Sequence, residues 1–276
     1  DFRFDLFKKD SSYLQLNSTI GAQYTVSATR TGKVFLQFQN TTVLSGGIDT
    51  IAIKVEKKLP VNIDVKAVSV GLQYEVSNTN YRLNPSTGNE YSFTSLIGLK
   101  TIKRNNQVTA IKDPLFNYAS LYDSIKTKSY QLKLAGYAAK YFPLGKFATF
   151  KTAVRTGLLF TPEIFRNELY QIGGYSILRG FNEESIYATR YAVATAEYRI
   201  LVGANSYFFF FSDGGLVKNK YQSVNTNNVF ISAGLGILFE TKVGLLNVSF
   251  ALGKRDDVAF NVRQAAKLHF GYINYF

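Results

Sequence analysis

The sequence predicts an all-β chain folded as a transmembrane antiparallel β-barrel, with about twelve strands present. Three observations predict it. Apolar and polar residues alternate with a period of two over runs of about 9 to 13 residues, against a mean of roughly 5–6 for soluble strands. Almost no stretch carries the 3.6-residue apolar period of an amphipathic helix. No apolar run reaches the roughly 18 residues that a membrane-crossing helix needs.

The elements follow in order. Residues 2–7 form a first short strand. Over 14–26, Leu14, Leu16, Ile20, Ala22, Tyr24 and Val26 oppose Gln15, Asn17, Thr19, Gly21, Gln23 and Thr25. Residues 34–44 repeat the pattern. Val68, Val70, Leu72, Tyr74 and Val76 then oppose Ser69, Gly71, Gln73 and Glu75. Strands follow at 90–103, 130–134, 150–158, 192–200, 206–217, 229–239, 246–252 and 267–276. Successive side chains of a strand point to opposite faces, so each segment has one apolar and one polar face. A tilted strand of ~9–11 residues crosses the hydrocarbon layer. The polar face, rich in charge, Gly, Ser, Thr and Asn, suits a wet lumen better than a packed sandwich core.

Tight turns are expected at 83–88 and 143–146, where Pro and Gly supply the required dihedrals. Long loops are expected at 104–128 and 161–190. In the first, Asp113-Pro114 predicts a short helix with Asp113 as its N-cap. No linker interrupts the pattern, so residues 1–276 read as one barrel domain.

Composition narrows the function. With no Cys there is no disulfide framework, thiol nucleophile or Cys-held metal. A single histidine, His269, makes a His-rich metal site impossible and a catalytic relay improbable, since a hydrolase needs nucleophile, base and orienter within reach. No cofactor is implied. Lys and Arg number 32 against 19 Asp and Glu, a net charge of +13. The basic residues are scattered along strands and loops, which argues against nucleic acid and suits loops that meet anionic lipopolysaccharide head groups. The absence of Met reads as a processed or fragmentary start. Mean hydropathy is −0.05 because two opposite faces cancel.

One constellation stands out. Arg179 lies in a glycine-bearing loop, and Gly180 lets its backbone approach a wall closely. Glu197 and Asp213 fall on the polar faces of their strands, as do Phe209 and Phe211, while Phe208 and Phe210 point outward. Spacing leaves two readings open: a guanidinium brought into the lumen against two carboxylates, or a solvated loop arginine beside ordinary lumen charges. It likewise leaves open whether the lumen aromatics pack beneath the loop or belong to an aromatic belt.

The motifs narrow this further. Gly173-Gly174-Tyr175-Ser176-Ile177-Leu178-Arg179-Gly180-Phe181 resembles the GG…RGF loop signature of the BamA/TamA superfamily, the bacterial surface antigen proteins. Phe211-Ser212-Asp213-Gly214-Gly215 is similar to its F-x-D-x-G strand, and Glu197 to its acidic strand position. Residues 234–246 resemble its G-x-G-x-x-F-E-T…G-P-L hairpin, with Leu245 where Pro is usual. Asn84-Pro85-Ser86-Thr87-Gly88 is similar to its NP-x-x-G turn. The chain end resembles its C-terminal assembly signal: Leu268, Phe270, Tyr272 and Phe276 face outward, with His269 and Gly271 between them, and Asn274 departs from the pattern.

The resemblance implies that Leu178, Arg179, Gly180 and Phe181 enter the barrel, where Arg179 pairs with Glu197 and Asp213 above Phe211 and Gly215. It implies sixteen strands, so that the chain would be the C-terminal part of a barrel, although twelve is also an even, closable number. It implies an outer-membrane assembly or insertion factor of a Gram-negative bacterium, acting at a seam formed by the last strand. Unfolded outer-membrane protein clients, outer-membrane lipids and accessory lipoproteins would be its partners. A polypeptide secretion pore is the alternative.

Overall fold

The computed structural model describes residues 1–9 and 12–274. Seven strands open the chain: β1 (Phe2–Lys9), β2 (Tyr13–Ser27), β3 (Arg30–Val43), β4 (Asp64–Thr79), β5 (Gly88–Lys103), β6 (Lys128–Pro143) and β7 (Ala148–Phe160). A small separate hairpin follows, β8 (Tyr170–Ile172) with β9 (Ile186–Ala188). The main sheet resumes with β10 (Arg190–Gly203), β11 (Ser206–Tyr221), β12 (Val224–Thr241), β13 (Gly244–Arg255) and β14 (Ala266–Asn274). Twelve of these strands form one antiparallel sheet in chain order, with β7 pairing directly to β10 across the intervening hairpin. All twelve expected strands are found. Most are longer than alternation indicated, because pairing continues past the last apolar residue.

The faces are inverted relative to a soluble protein. On β4, Val68, Val70, Leu72 and Tyr74 lie exposed, whereas Ala67, Ser69 and Gly71 are buried. On β14, Leu268, Phe270 and Tyr272 are exposed while His269 is buried. The same inversion recurs around the sheet, from Phe2, Phe4 and Leu6 on β1 to Phe250 on β13. An apolar surface this continuous is stable only against hydrocarbon. No described helix is long and apolar enough to cross a membrane; strands meet the lipid. Arg at Val70 or Leu72, 52% and 56% exposed, is expected to destabilise the inserted state by ~2–4 kcal/mol near the bilayer midplane. Urea unfolding from liposomes measures it. A change within roughly 0.5 kcal/mol, ordinary for a surface site, would mean that this face does not meet lipid.

The sheet is rolled around its own loops. The four longest connections, 44–63, 104–127, 161–189 and 256–265, all leave the same end. The opposite end carries only short ones, 28–29, 80–87, 144–147, 204–205 and 242–243, while the two-residue turn 222–223 lies at the long-loop end. The first three long connections close over the lumen in one apolar cap. Ile48 and Ile53 come from the first, Val108, Tyr118 and Tyr122 from the second, and Phe165 from the third, packed on Val65 and Ile102 at the strand ends. Asp64 ties the cap to the barrel by accepting the Val43 N–H at 2.5 Å and the Asn105 side-chain amide at 2.7 Å.

Local caps shape these loops. Asp49 accepts the N–H groups of Ile51 and Ala52 and starts helix α1 (Thr50–Glu56). This helix escaped the sequence reading because it lies in a connection with no strong apolar period. The helix expected after Asp113 is corrected: the helical turn covers Tyr118–Tyr122 and is capped by Asn117, whose side chain accepts the Ala119 N–H at 3.1 Å. Asp113 instead accepts the Leu115 N–H and the Tyr118 hydroxyl. Those two bonds stabilise its charged form and hold its carboxyl below the usual range.

Candidate functional site

The connection 161–189 enters the lumen and is held at successive points. At its start Lys100, with no exposed surface, pairs with Glu168 at 2.9 Å and also donates to the Glu163 carbonyl. Asn167 bonds both backbone groups of Ile63. Gln171 on β8 donates to the Tyr13 hydroxyl of β2 at 2.5 Å. Beyond β8 the chain turns through Gly173 and Gly174, both at positive φ, and presents Leu178, Arg179, Gly180 and Phe181 to the wall formed by β10 to β14.

Leu178 sits at φ +62°, a conformation that costs an L-residue about 1–2 kcal/mol. Its side chain is fully buried against Gly215 of β11, and full burial of a leucine is worth ~1.5–3 kcal/mol. Burial therefore offsets the strain. A Cβ at Gly215 would come within 3.2 Å of Leu178 Cδ1, which explains the small residue at that strand position.

Arg179 is the centre of the arrangement. Its Nε donates to Asp213 Oδ2 and its Nη2 to Asp213 Oδ1, both at 2.9 Å. Its Nη1 donates to Glu197 Oε2 at 2.6 Å, and its backbone N–H also reaches Asp213 at 3.0 Å. The guanidinium plane lies 3.5 Å from the Phe211 ring centroid. A fork-shaped bidentate donor stacked on an aromatic face is a role for Arg rather than Lys. Thr195 of β10 donates the remaining bond to Asp213 at 2.8 Å. Arg179 is thus buried against the two carboxylates, with the Phe209 and Phe211 rings beneath it.

Gly180, at φ +89°, lies so close to β13 that a Cβ would stand 2.9 Å from the Gly253 nitrogen. Its N–H donates to His269 Nε2 on β14 at 2.9 Å. Phe181 meets Phe230 of β12 edge to face at 5.1 Å. Of the C-terminal residues singled out, His269 and Gly271 face this loop, Gly271 lying against the Tyr175 ring. Leu268, Phe270 and Tyr272 point to the outside, away from it. Phe276 lies outside the described residues.

Sequence reasoning missed the continuation of the network. Arg199 donates to the second oxygen of Glu197 at 2.8 Å and to Asn84 Oδ1 at 3.1 Å, and it lies over the Tyr207 ring. Asn84 in turn donates to the Ala204 carbonyl. The signal was present. Arg199 is two residues beyond Glu197 and so shares its face, and Asn84 belongs to the NP-x-x-G turn. That turn is not a plain surface turn, since Asn84 is buried. A polar chain thus runs from the inserted loop to the short-turn end of the barrel.

The Omp85 superfamily domain model matches residues 3–271. The chain belongs to the Omp85 superfamily. Its fold is similar to a solved structure, BamA from Haemophilus ducreyi lacking POTRA domains 1–3, with a TM-score of 0.63 and 14% sequence identity. The match covers 94% of this chain and 53% of that one, so the Omp85 chain described here spans about half the length of its structural neighbour. None of the curated proteins compared matches it. The likeness is one of fold: an outer-membrane β-barrel of the BamA/TamA type.

Proposed function

We propose that this Omp85 chain is an outer-membrane factor of a Gram-negative bacterium that inserts other β-barrel proteins, working at a seam along its last strand, β14, which among the described residues faces β1. One observation carries the reading. Among the described residues the ladder of strand pairs runs from β1 to β14 without joining those two to each other. Both strands present apolar side chains outward. An unpaired edge in hydrocarbon costs several kcal/mol per unsatisfied backbone group. Such an edge is satisfied best by an incoming strand, so strand addition to a folding client is the mechanism that follows. Unfolded outer-membrane proteins are then the clients, lipids with anionic head groups the surroundings, and accessory lipoproteins the helpers. No nucleotide or cofactor enters.

Secretion through the lumen is the second reading. A polar cavity of about 530 Å³ beside the loop stem, bordered by Arg3, Gln15, Asn17 and Lys133, favours it. Reconstituted liposomes separate the two. Protease-resistant insertion of an unfolded client barrel, accelerated by the protein and abolished when a disulfide is engineered across the β1–β14 seam, is the expected result. Client insertion at the same rate with the seam locked, together with a large steady conductance, would favour the pore instead.

A further inference from the structure

Residues 173–185 touch both edges of the sheet at once. On β14, the Gly180 N–H donates to His269 Nε2, and Tyr175 covers Gly271. On β1, Lys9 approaches Glu184 at 3.5 Å, to the carboxylate and to the backbone carbonyl alike. Next to its β14 contact the segment is pinned to β10 and β11 by the Arg179–Asp213–Glu197 cluster. The same short loop therefore contacts both β1 and β14, the two strands at the ends of the described ladder.

We infer that residues 173–185 form a strap across the seam, with His269 and Lys9 as its fastening points on the two edge strands and Arg179 as its anchor. The strap's use as a gate rests on the seam reading proposed above; its existence as a bridge rests on these contacts. The chemistry of the two fastenings differs. At β14 a backbone donor requires an acceptor at one position, which an imidazole nitrogen supplies. At β1 a mobile ammonium meets a carboxylate at a partly exposed site, a weak and readily broken contact. The strap therefore lets go of β1 first, and freeing β1 leaves β14 with its loop still attached. His269 and Lys9 are positioning residues in this scheme. They hold the edges in place and carry no reaction.

Hydrogen–deuterium exchange on the full chain in lipid nanodiscs tests it, read peptide by peptide for 2–9, 266–274 and, as a reference, 64–79. In His269→Leu, exchange is expected to rise in 266–274 and also in 2–9, by up to about tenfold, the scale of one net hydrogen bond, with 64–79 unchanged. His269→Gln, whose amide oxygen can accept from Gly180, is expected to restore both. Lys9→Glu is expected to loosen 2–9, and the exchanged pair Lys9→Glu with Glu184→Lys to restore it. Loosening of 266–274 alone in His269→Leu, with 2–9 unchanged, would overturn the strap, because a purely local role moves only its own strand. A client-insertion assay on the same variants keeps the two ideas apart. Edges that loosen together with insertion unaltered support the strap as a bridge and defeat its use as a gate for insertion. Insertion that falls while 2–9 stays protected overturns the strap and leaves the assembly reading standing.

Discussion

Arg179→Leu is expected to expose residues 173–185 to external protease while the twelve-stranded sheet stays folded. The substitution removes three side-chain donors at once: two from Asp213, which keeps Thr195 and the Arg179 backbone N–H, and one from Glu197, which keeps Arg199. Breaking a buried ion pair by removing one partner costs about 3–5 kcal/mol, because a charge is left uncompensated. The loop has a way out of this cost. By leaving the lumen it lets water reach both carboxylates, at the expense of the burial of Leu178 and Phe181. The strands do not depend on the loop for their backbone bonds, so the damage stays local. Arg179→Lys is expected to fall between the two, since a point charge satisfies one carboxylate but loses the paired donors and the stacking on Phe211. Limited proteolysis with mass spectrometry reads the loop, and the heat-induced gel shift typical of folded barrels reads the sheet. Unchanged protection of 173–185 in Arg179→Leu would show that the apolar contacts alone seat the loop.

The second large effect lies at the loop's entry. Glu168→Leu leaves Lys100 without its carboxylate at a site with no exposed surface, and a loss of about 3–5 kcal/mol is expected. It also orphans the Phe165 N–H, which Glu168 accepts at 3.0 Å. Lys100→Met combined with Glu168→Leu is expected to recover most of the loss, because the pair's own Coulomb gain barely exceeds its desolvation. What is not recovered is the Phe165 bond, worth ~1–3 kcal/mol when left unmade. Urea unfolding of the two single variants and the double variant in one lipid gives the coupling directly. Additive losses in the double variant would mean that Lys100 and Glu168 contribute separately and that the pair is not what holds 161–168 to β5.

Much of this architecture was legible because strand physics is local. In β4, Val70 and Leu72 must lie on one face and Ser69 and Gly71 on the other whatever the rest of the chain does. The pairing of Arg179 with Glu197 and Asp213 was legible in part: all three positions could be placed, two of them on a lumen face, but only resemblance suggested that the loop turned inward. Other parts were silent. Asp113 carried the helix-start signal that Asn117 uses, because both are side-chain acceptors followed by a donor two residues on, and only the packing of Tyr118 and Tyr122 into the cap decides between them. Lys100 and Glu168 are 68 residues apart, and Arg199 and Asn84 are 115 apart. No period relates such positions.

The sequence by itself determined the all-β class, the twelve strands, which side chains face lipid and which face the lumen, and the sites of two of the four longest loops, 104–127 and 161–189. Those are consequences of a two-residue repeat and of strand length, and both can be counted along the chain. The tertiary structure alone decided that the loop at 161–189 fills the barrel, that Arg199 and Asn84 extend its anchor to the far end, and that His269 and Lys9 meet the same segment from opposite edges. These depend on how a rolled sheet brings remote strands to one lumen. Closing that distance is a property of curvature and register, and no local pattern of residues encodes it.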